Sequence, residues 1–387
     1  MNLFVTGGTG FLGKAVLTRV AEDPRYDAIY LLIRGGREGA ERRLDKLVAK
    51  IFPPEKYDSV RRRLHAVQGD LTQPHLGLSV RDRWTLLDRT HQILHVGAST
   101  DFGAPLEESR LYNVEGTRKV LELAEACARQ GTLNRFDYIS TAFVAGIKSG
   151  IVQENDLVRG QDFANNYERS KYEAEQLVNE YARRFPIAIH RPSIVVGDSK
   201  TGYTPHFKVL YWPLRLLSKG LLPFIPCDSG ARLDVVPVDF VADSIVGIMQ
   251  RPETTGSTFH ITAGLGNEVK IGAFLRDAYK YTDIEKRPTI PFWIFKALRN
   301  SPARSLIAQE VWQACDLAAP YAAYLRGSGL RFDSRKTHTE LAGMGIEIPN
   351  WQEYRVPVLK FCTESRWGRK LAAPEYEYFQ GAGGLNG

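Results

Sequence analysis

The chain has 387 residues, 43% apolar and 25% charged, with a net charge of +7 at neutral pH, enough material for one large two-lobed domain or for two domains with a substantial core. No apolar run approaches the roughly 20 residues needed to cross a bilayer. Cys127, Cys227, Cys315 and Cys362 lie far apart without a C-x-x-C pair, which argues against a disulfide framework and a cysteine zinc site.

Asn2-Leu3-Phe4-Val5 reads as a buried first strand running into Thr6-Gly7-Gly8-Thr9-Gly10-Phe11-Leu12-Gly13, and nothing at the N-terminus resembles an export signal, so a cytoplasmic location is expected. From Phe11 to Ala21 the spacing of Leu12, Val16, Leu17 and Val20 predicts an amphipathic helix. Strand, glycine turn and helix together read as a dinucleotide fingerprint. Gly7 lets the chain reverse, Gly10 lets the backbone approach a pyrophosphate, and Gly13 lets the helix pack against the strand. The helix N-terminus offers free N–H groups to the phosphates.

A second strand is predicted over Ala28 to Ile33, and the residue at its end, Arg34, should face the adenosine ribose. A carboxylate there would hold the 2′-hydroxyl of NAD, whereas a guanidinium suits the 2′-phosphate, so NADPH is the expected cofactor. Arg37, Arg42 and Arg43 follow closely. Further on, His65 to Leu71 looks like another strand tip with Asp70 placed to accept from the adenine amino group. His95, on a predicted strand end, is read as packed near the cofactor, and no metal site is expected.

Tyr167 and Lys171 are four residues apart before a run of good helix formers, so they share one helix face. A neighbouring ammonium is expected to lower the phenol's pKa and let Tyr167 act as general acid to a carbonyl receiving hydride. Lys171 is also placed to hold the nicotinamide ribose.

The alternation of strands and helices over residues 1–200 predicts an α/β fold, a doubly wound Rossmann-like parallel sheet. After Gly197 the texture changes, and Thr204 to Pro226 mixes aromatic and apolar residues with Lys208, Arg215 and Lys219. That segment reads as a lid, as a membrane-touching helix or as an ordinary packed helix. Residues from about 232 to 262 look like a return to the nucleotide domain, leaving 201–231 and 263–371 as a discontinuous, mostly helical substrate lobe. Pro291 to Arg299 is a second aromatic and basic patch, readable as a core helix edge or as peripheral membrane contact. The tail from 372 to 387 is expected to be flexible, and no internal repeat is seen.

Several segments resemble the extended short-chain dehydrogenase/reductases: Thr6 to Gly13, Asp70-Leu71, Ile93 to Ser99, Asn113 in Asn113-Val114-Glu115-Gly116-Thr117, Ile139 to Val144, Tyr167 with Lys171, and Arg191 to Gly197. Gly97 departs from the commoner alanine. Gly69 to Ser79, His95 to Phe102, Ile139 to Val144 and Asn166 to Lys171 narrow the similarity to fatty acyl-CoA reductases and to the thioester-reductase domains of carboxylic acid reductases and peptide synthetases. Pro320-Tyr321, Phe332-Asp333 and Trp351 to Tyr354 add a fainter likeness near the C-terminus.

The resemblance implies NADPH-dependent reduction of an acyl-CoA or acyl-carrier-protein thioester to an aldehyde or primary alcohol. It places the carbonyl-polarising hydroxyl on Thr141 and puts Asn113, at the start of a helix, behind Lys171 through water. It also implies a cofactor site of Thr6, Gly7, Gly8, Thr9, Gly10, Phe11, Leu12, Gly13, Arg34, Arg43, Asp70, Leu71, Gly97, Ala98, Ser99, Ser140, Tyr167, Lys171, Pro192, Ser193, Ile194 and Val195. The positive charge suits NADPH, coenzyme A and acidic carrier proteins, though it serves solubility equally well; no nucleic-acid motif stands out. A nucleotide-sugar epimerase or dehydratase and a non-catalytic NADP-binding regulator are the alternatives. Arg34 and the aromatic segment speak against the first, and retention of both Tyr167 and Lys171 against the second.

Overall fold

Successive side chains of a strand point to opposite faces, and the first strand shows how that rule builds this molecule. In β1 (Asn2–Thr6), Leu3 and Val5 pack into one buried cluster while Phe4 packs into another. The computed structural model describes residues 1–35, 37–321, 324 and 329–379. In chain order the sheet-forming half runs α1 (Phe11–Val20), β2 (Ala28–Ile33), α2 (Arg37–Ile51), β3 (Leu64–Gln68), α3 (Val80–Arg89), β4 (Gln92–His95), α4 (Gly116–Arg129), β5 (Arg135–Ile139), α5 (Asn166–Tyr181) and β6 (Ile187–Pro192). After α6 (Tyr211–Ser218) and α7 (Val238–Met249), β7 (Thr258–Ile261) returns to the sheet.

The seven strands lie in the order β7-β6-β5-β4-β1-β2-β3, every pair parallel. On one face Leu3, Val5, Ile29, Leu31 and Ile33 meet the inner sides of α1, α2 and α7. On the other Phe4, Ile93, Phe136 and Tyr138 meet α3, α4 and α5. Connections on both faces are what a doubly wound parallel sheet requires. Strand order reverses between β1 and β4, so the loops leaving their C-terminal ends diverge and open a crevice there.

The remaining segments assemble a lobe over that crevice. Ile194–Val196 pairs with Val235–Pro237, Gly150–Val152 with Leu330–Phe332, and Ile225–Pro226 with Thr289–Ile290. The returning stretch begins with two short strands, Arg232–Leu233 and Val235–Pro237, and α7 starts at Val238. α6 buries Tyr211, Pro213, Leu214, Leu216 and Leu217, the behaviour of a packed helix. In α8 (Phe292–Arg299), Phe295 is buried and Trp293 is 70% exposed. Among the described residues no helix is long and apolar enough to cross a membrane.

The expectation of a flexible tail from residue 372 meets a different arrangement. α9 (Glu375–Phe379) is seated on the nucleotide domain, with Glu375 bridging Lys14 at 2.9 Å and Lys50 at 2.6 Å and the Tyr378 ring stacked on Tyr203. The aromatic residues of Tyr376 to Phe379 give this end an apolar face to bury, which the Gly-rich end that follows lacks. Residues 380–387 lie outside the described residues.

Candidate active site

Gly7 adopts φ +75°, and a Cβ there would stand 2.5 Å from the Gly97 nitrogen. Glycine at position 7 lets the loops leaving β1 and β4 touch at the reversal of strand order. A Cβ on Gly13 would fall 2.1 Å from the Gly7 carbonyl oxygen, whereas one on Gly10 would meet nothing closer than 3.3 Å. Gly10 is the N-cap of α1 and no side chain caps it, so the first N–H groups of that helix are left for an external acceptor.

A cavity of about 670 Å³ begins at this turn and runs to α5, the helix that carries Tyr167 and Lys171. Gly7, Thr9, Gly10, Phe11, Leu12, Gly13, Arg34, Arg43, Asp70 and Leu71 line its nucleotide end, with Gly97, Ala98 and Ser99 beside them. Ser140, Thr141, Tyr167, Lys171, Pro192, Ser193, Ile194 and Val195 line the rest. Thr6, Gly8 and Asn113 are not on its wall. Arg43 donates to the Arg34 carbonyl at 2.5 Å, which ties α2 to the end of β2; the side chain of Arg37 lies outside the described residues. Asp70 accepts from the backbone and side chain of Thr72, both at 2.8 Å, which orients its carboxylate at the cavity edge.

Thr6 turns inward. Its hydroxyl meets His95 Nδ1 at 2.6 Å and accepts from the Gly97 nitrogen at 3.1 Å. His95 Nε2 meets Thr117 Oγ1 at 3.0 Å, and Thr117 donates to the Asn113 carbonyl at 2.6 Å. Because Thr117 spends its proton on that carbonyl, His95 must donate from Nε2 and accept at Nδ1. Burial, then the charge of Lys171, pushes His95 down to about 3, so it stays neutral and acts as an internal strut under the cofactor turn. The sequence places Thr6 in the fingerprint but carries no sign of its partner, which arrives from 89 residues away.

Asn113 departs from its expected setting. It lies in a π-helical turn, Leu111–Glu115, inside a continuous helical stretch and not at a helix start. Its Oδ1 accepts from the Ser99 nitrogen at 2.8 Å, while Nδ2 donates to the Ser99 carbonyl at 3.1 Å and to Ser170 Oγ at 2.9 Å. One amide therefore clamps the loop after β4 to the helix that carries Lys171. The wider turn is a common device where a helix must present a functional side chain.

Lys171 is 2% exposed and donates to Tyr138 Oη and to the Ile139 carbonyl, both at 2.7 Å. Burial pulls its ammonium down to about 7 against the opposing charge of Glu175 one turn on. Tyr167 stands above its ordinary value, first because it is buried and second because of the charge on Glu168; a hydrogen bond with Thr141 opposes both. The expectation that Lys171 lowers the phenol is thus reversed in this structure, since the ammonium is engaged by Tyr138 and Ile139 and desolvation dominates. Thr141 itself accepts from the Phe143 nitrogen and donates to the Pro192 carbonyl at 3.4 Å. Ser140 donates to Glu175, whose carboxylate also receives Arg191, so this hydroxyl serves the wall of the site.

Several residues escaped the sequence reading. Phe102 stacks on Tyr167 with ring centroids 5.1 Å apart, and Tyr321 and Tyr324 face Phe102 from the C-terminal lobe. Lys208 reaches the Thr100 carbonyl at 3.5 Å, and the 204–211 segment forms a cavity wall, with Val209 held at φ +50°, a conformation costly for a β-branched residue. Tyr321 belongs to the Pro320-Tyr321 pair noted above, but Tyr324 had no local signal.

A family described as male sterility protein matches residues 5–245. Fatty acyl-CoA reductase 1 of Mus musculus is 27% identical over 88% of this chain and 72% of its own. The putative fatty acyl-CoA reductase CG8306 of Drosophila melanogaster is 28% identical over 63% of this chain; the chain spans about half of that relative, 54% of its length. Among solved structures, the terminal R domain from the myxalamid PKS-NRPS biosynthetic pathway is 26% identical, with a TM-score of 0.79 over 97% of this chain and 92% of that one. UDP-glucuronic acid 4-epimerase from Bacillus cereus shares the fold alone, at 17% identity and a TM-score of 0.61, covering 98% of this chain and 97% of its own.

Proposed function

We propose that this chain, which belongs to the male sterility protein family, reduces acyl thioesters with NADPH. Its cofactor is a nicotinamide dinucleotide. The observation that carries the reading is one continuous cavity with an uncapped helix N-terminus at one end and Thr141, Tyr167 and Lys171 at the other. The cavity fits such a cofactor: the space in front of Gly10 is open where a side chain would obstruct a pyrophosphate. Arg34 and Arg43 at the end of β2 support NADPH over NADH, because guanidinium groups pair with a 2′-phosphate.

A nicotinamide dinucleotide held along this cavity by Gly10, Arg34 and the α1 N-terminus would supply hydride for the thioester carbonyl carbon. Thr141 and Tyr167 donate hydrogen bonds to the oxygen as negative charge develops there. Tyr167 gives its proton to that oxygen, and the resulting hemithioacetal expels thiol and leaves an aldehyde. Lys171, one turn further along α5, would hold the nicotinamide ribose. The clamp by Asn113 holds the Lys171 helix in register with the loop after β4.

The thiol carrier is coenzyme A or an acyl carrier protein, both anionic partners for a chain of charge +7. A second reduction of the aldehyde would give the primary alcohol. Incubating the purified chain with NADPH and a panel of acyl-CoA and acyl-carrier thioesters tests all of this: cofactor oxidation with stoichiometric thiol release is expected. Absence of oxidation at every chain length would sink the reading.

A further inference from the structure

Glu168, the residue after Tyr167, is 2% exposed, a position where a carboxylate needs a reason to be. It caps the catalytic helix. Asn165, the N-cap of α5, accepts from the Glu168 nitrogen at 2.9 Å, and Glu168 Oε2 reaches back to accept from the Ala164 nitrogen at 3.0 Å. This is a reciprocal capping arrangement one residue wider than usual.

The other carboxylate oxygen, Oε1, accepts from Tyr324 Oη at 2.7 Å across 156 residues. The Tyr324 ring lies edge-on to Phe143 with centroids 5.0 Å apart and faces Phe102 at 6.0 Å. Phe102 in turn stacks on Tyr167, the planes 17° apart. Tyr324 therefore touches the proton donor's surroundings twice, through the helix cap and through the ring stack.

We propose that Tyr324 and Glu168 form a positioning couple through which the C-terminal lobe orients the Tyr167 phenol over the carbonyl. The proposal rests on the reductase reading, in which Tyr167 delivers the proton. Neither residue needs to touch the substrate for this. The Tyr324 hydroxyl fixes the carboxylate, the carboxylate fixes the first turn of α5, and the ring prevents Phe102 and the phenol from swinging away. Small displacements of a reacting group are costly in rate even when binding is intact.

The test compares the wild-type chain with Tyr324→Phe, Glu168→Ala, Glu168→Gln and the Tyr324→Phe/Glu168→Ala double variant. The readouts are kcat and KM for an accepted thioester, NADPH affinity by fluorescence, and thermal unfolding. Tyr324→Phe and Glu168→Ala should each lower kcat about tenfold, with NADPH affinity within about twofold of wild type. Because both break one connection, the double variant should be no slower than the slower single variant. Glu168→Gln still accepts from Tyr324 and can still cap, so it should recover most of the loss. The couple is refuted if the two losses multiply, if kcat is unchanged while only KM or the unfolding temperature moves, or if Gln is no better than Ala. A wild-type chain inactive with every thioester overturns the reductase reading itself and the couple with it, whereas an active wild type with an unaffected Tyr324→Phe overturns the couple alone.

Discussion

The two ends of β5 treat buried charge in opposite ways. Where β5 begins, Asp137 receives Arg135 through two bonds, at 2.7 and 2.8 Å, together with His190 at 2.8 Å and Gln92 at 3.0 Å. Burial would raise the carboxyl, but the Arg135 charge and these hydrogen bonds hold it at about 2. Where β5 ends, Lys171 and Glu168 have neutral or single-sided partners, and burial draws both toward 7. Completed ion pairs make the first cluster a fixed part of the scaffold. Incomplete ones leave the second ready to exchange protons near neutral pH.

The largest expected effect lies at the reactive end. Tyr167→Phe would remove the proposed proton donor and should slow turnover by about 10²- to 10⁴-fold, leaving NADPH affinity within about twofold; single-turnover kinetics with fluorescence binding would check it. At the scaffold end, Arg135→Met leaves Asp137 short of its main counter-charge and should cost about 3 kcal/mol or more of stability. Denaturant unfolding measures that loss, while kcat per folded molecule should hold, separating the two regions by their readouts.

Cofactor choice comes next in size. On the proposed NADPH reading, Arg34→Asp would remove a charge-assisted contact to the 2′-phosphate and should weaken NADPH by about 10- to 100-fold while NADH changes little. Equal weakening of both cofactors would remove Arg34 from that role.

Effects of pH should be smaller and have a definite sign. Lys171 titrates near 7 in the folded chain against 10.5 for an ordinary lysine. Between those values the unfolded chain holds more protons, so this group's contribution to stability rises with pH. Glu168 has the opposite slope: its proton stays on to about 7 when folded but leaves near 4.5 when unfolded, so its contribution falls from 4.5 to 7. The value of kcat/KM should decline as pH rises through neutrality and Lys171 loses its charge. The scaffold pair, with Asp137 at about 2, should contribute no inflection in that range.

The same contrast separates what the sequence displays from what it conceals. The glycine turn and the Tyr167/Lys171 spacing are local patterns, and backbone geometry alone makes them legible. Arg34 is legible for the same reason, since it follows β2 directly. The electrostatic state of Lys171 is not, because it depends on burial between β5 and α5 and on Tyr138. Thr6 reads as a cofactor contact until His95 from β4 takes its hydroxyl. Tyr324 and Phe102 meet only because the C-terminal lobe folds back over the switch point, a contact without a sequence period. The tail past residue 372 misleads through its glycines, while Glu375 finds Lys14 and Lys50 on the nucleotide domain and Tyr378 finds Tyr203 just beyond it.

The most direct test of the central claim follows the hydride. The purified chain is given NADPH deuterated at the transferable position of the nicotinamide and an accepted acyl thioester, and the product is analysed by mass spectrometry. The account predicts one deuterium on the former carbonyl carbon of the aldehyde, two if the alcohol forms, with one thiol released per thioester. Cofactor oxidation without label at that carbon, or turnover of a substrate with no net loss of NADPH, would contradict it.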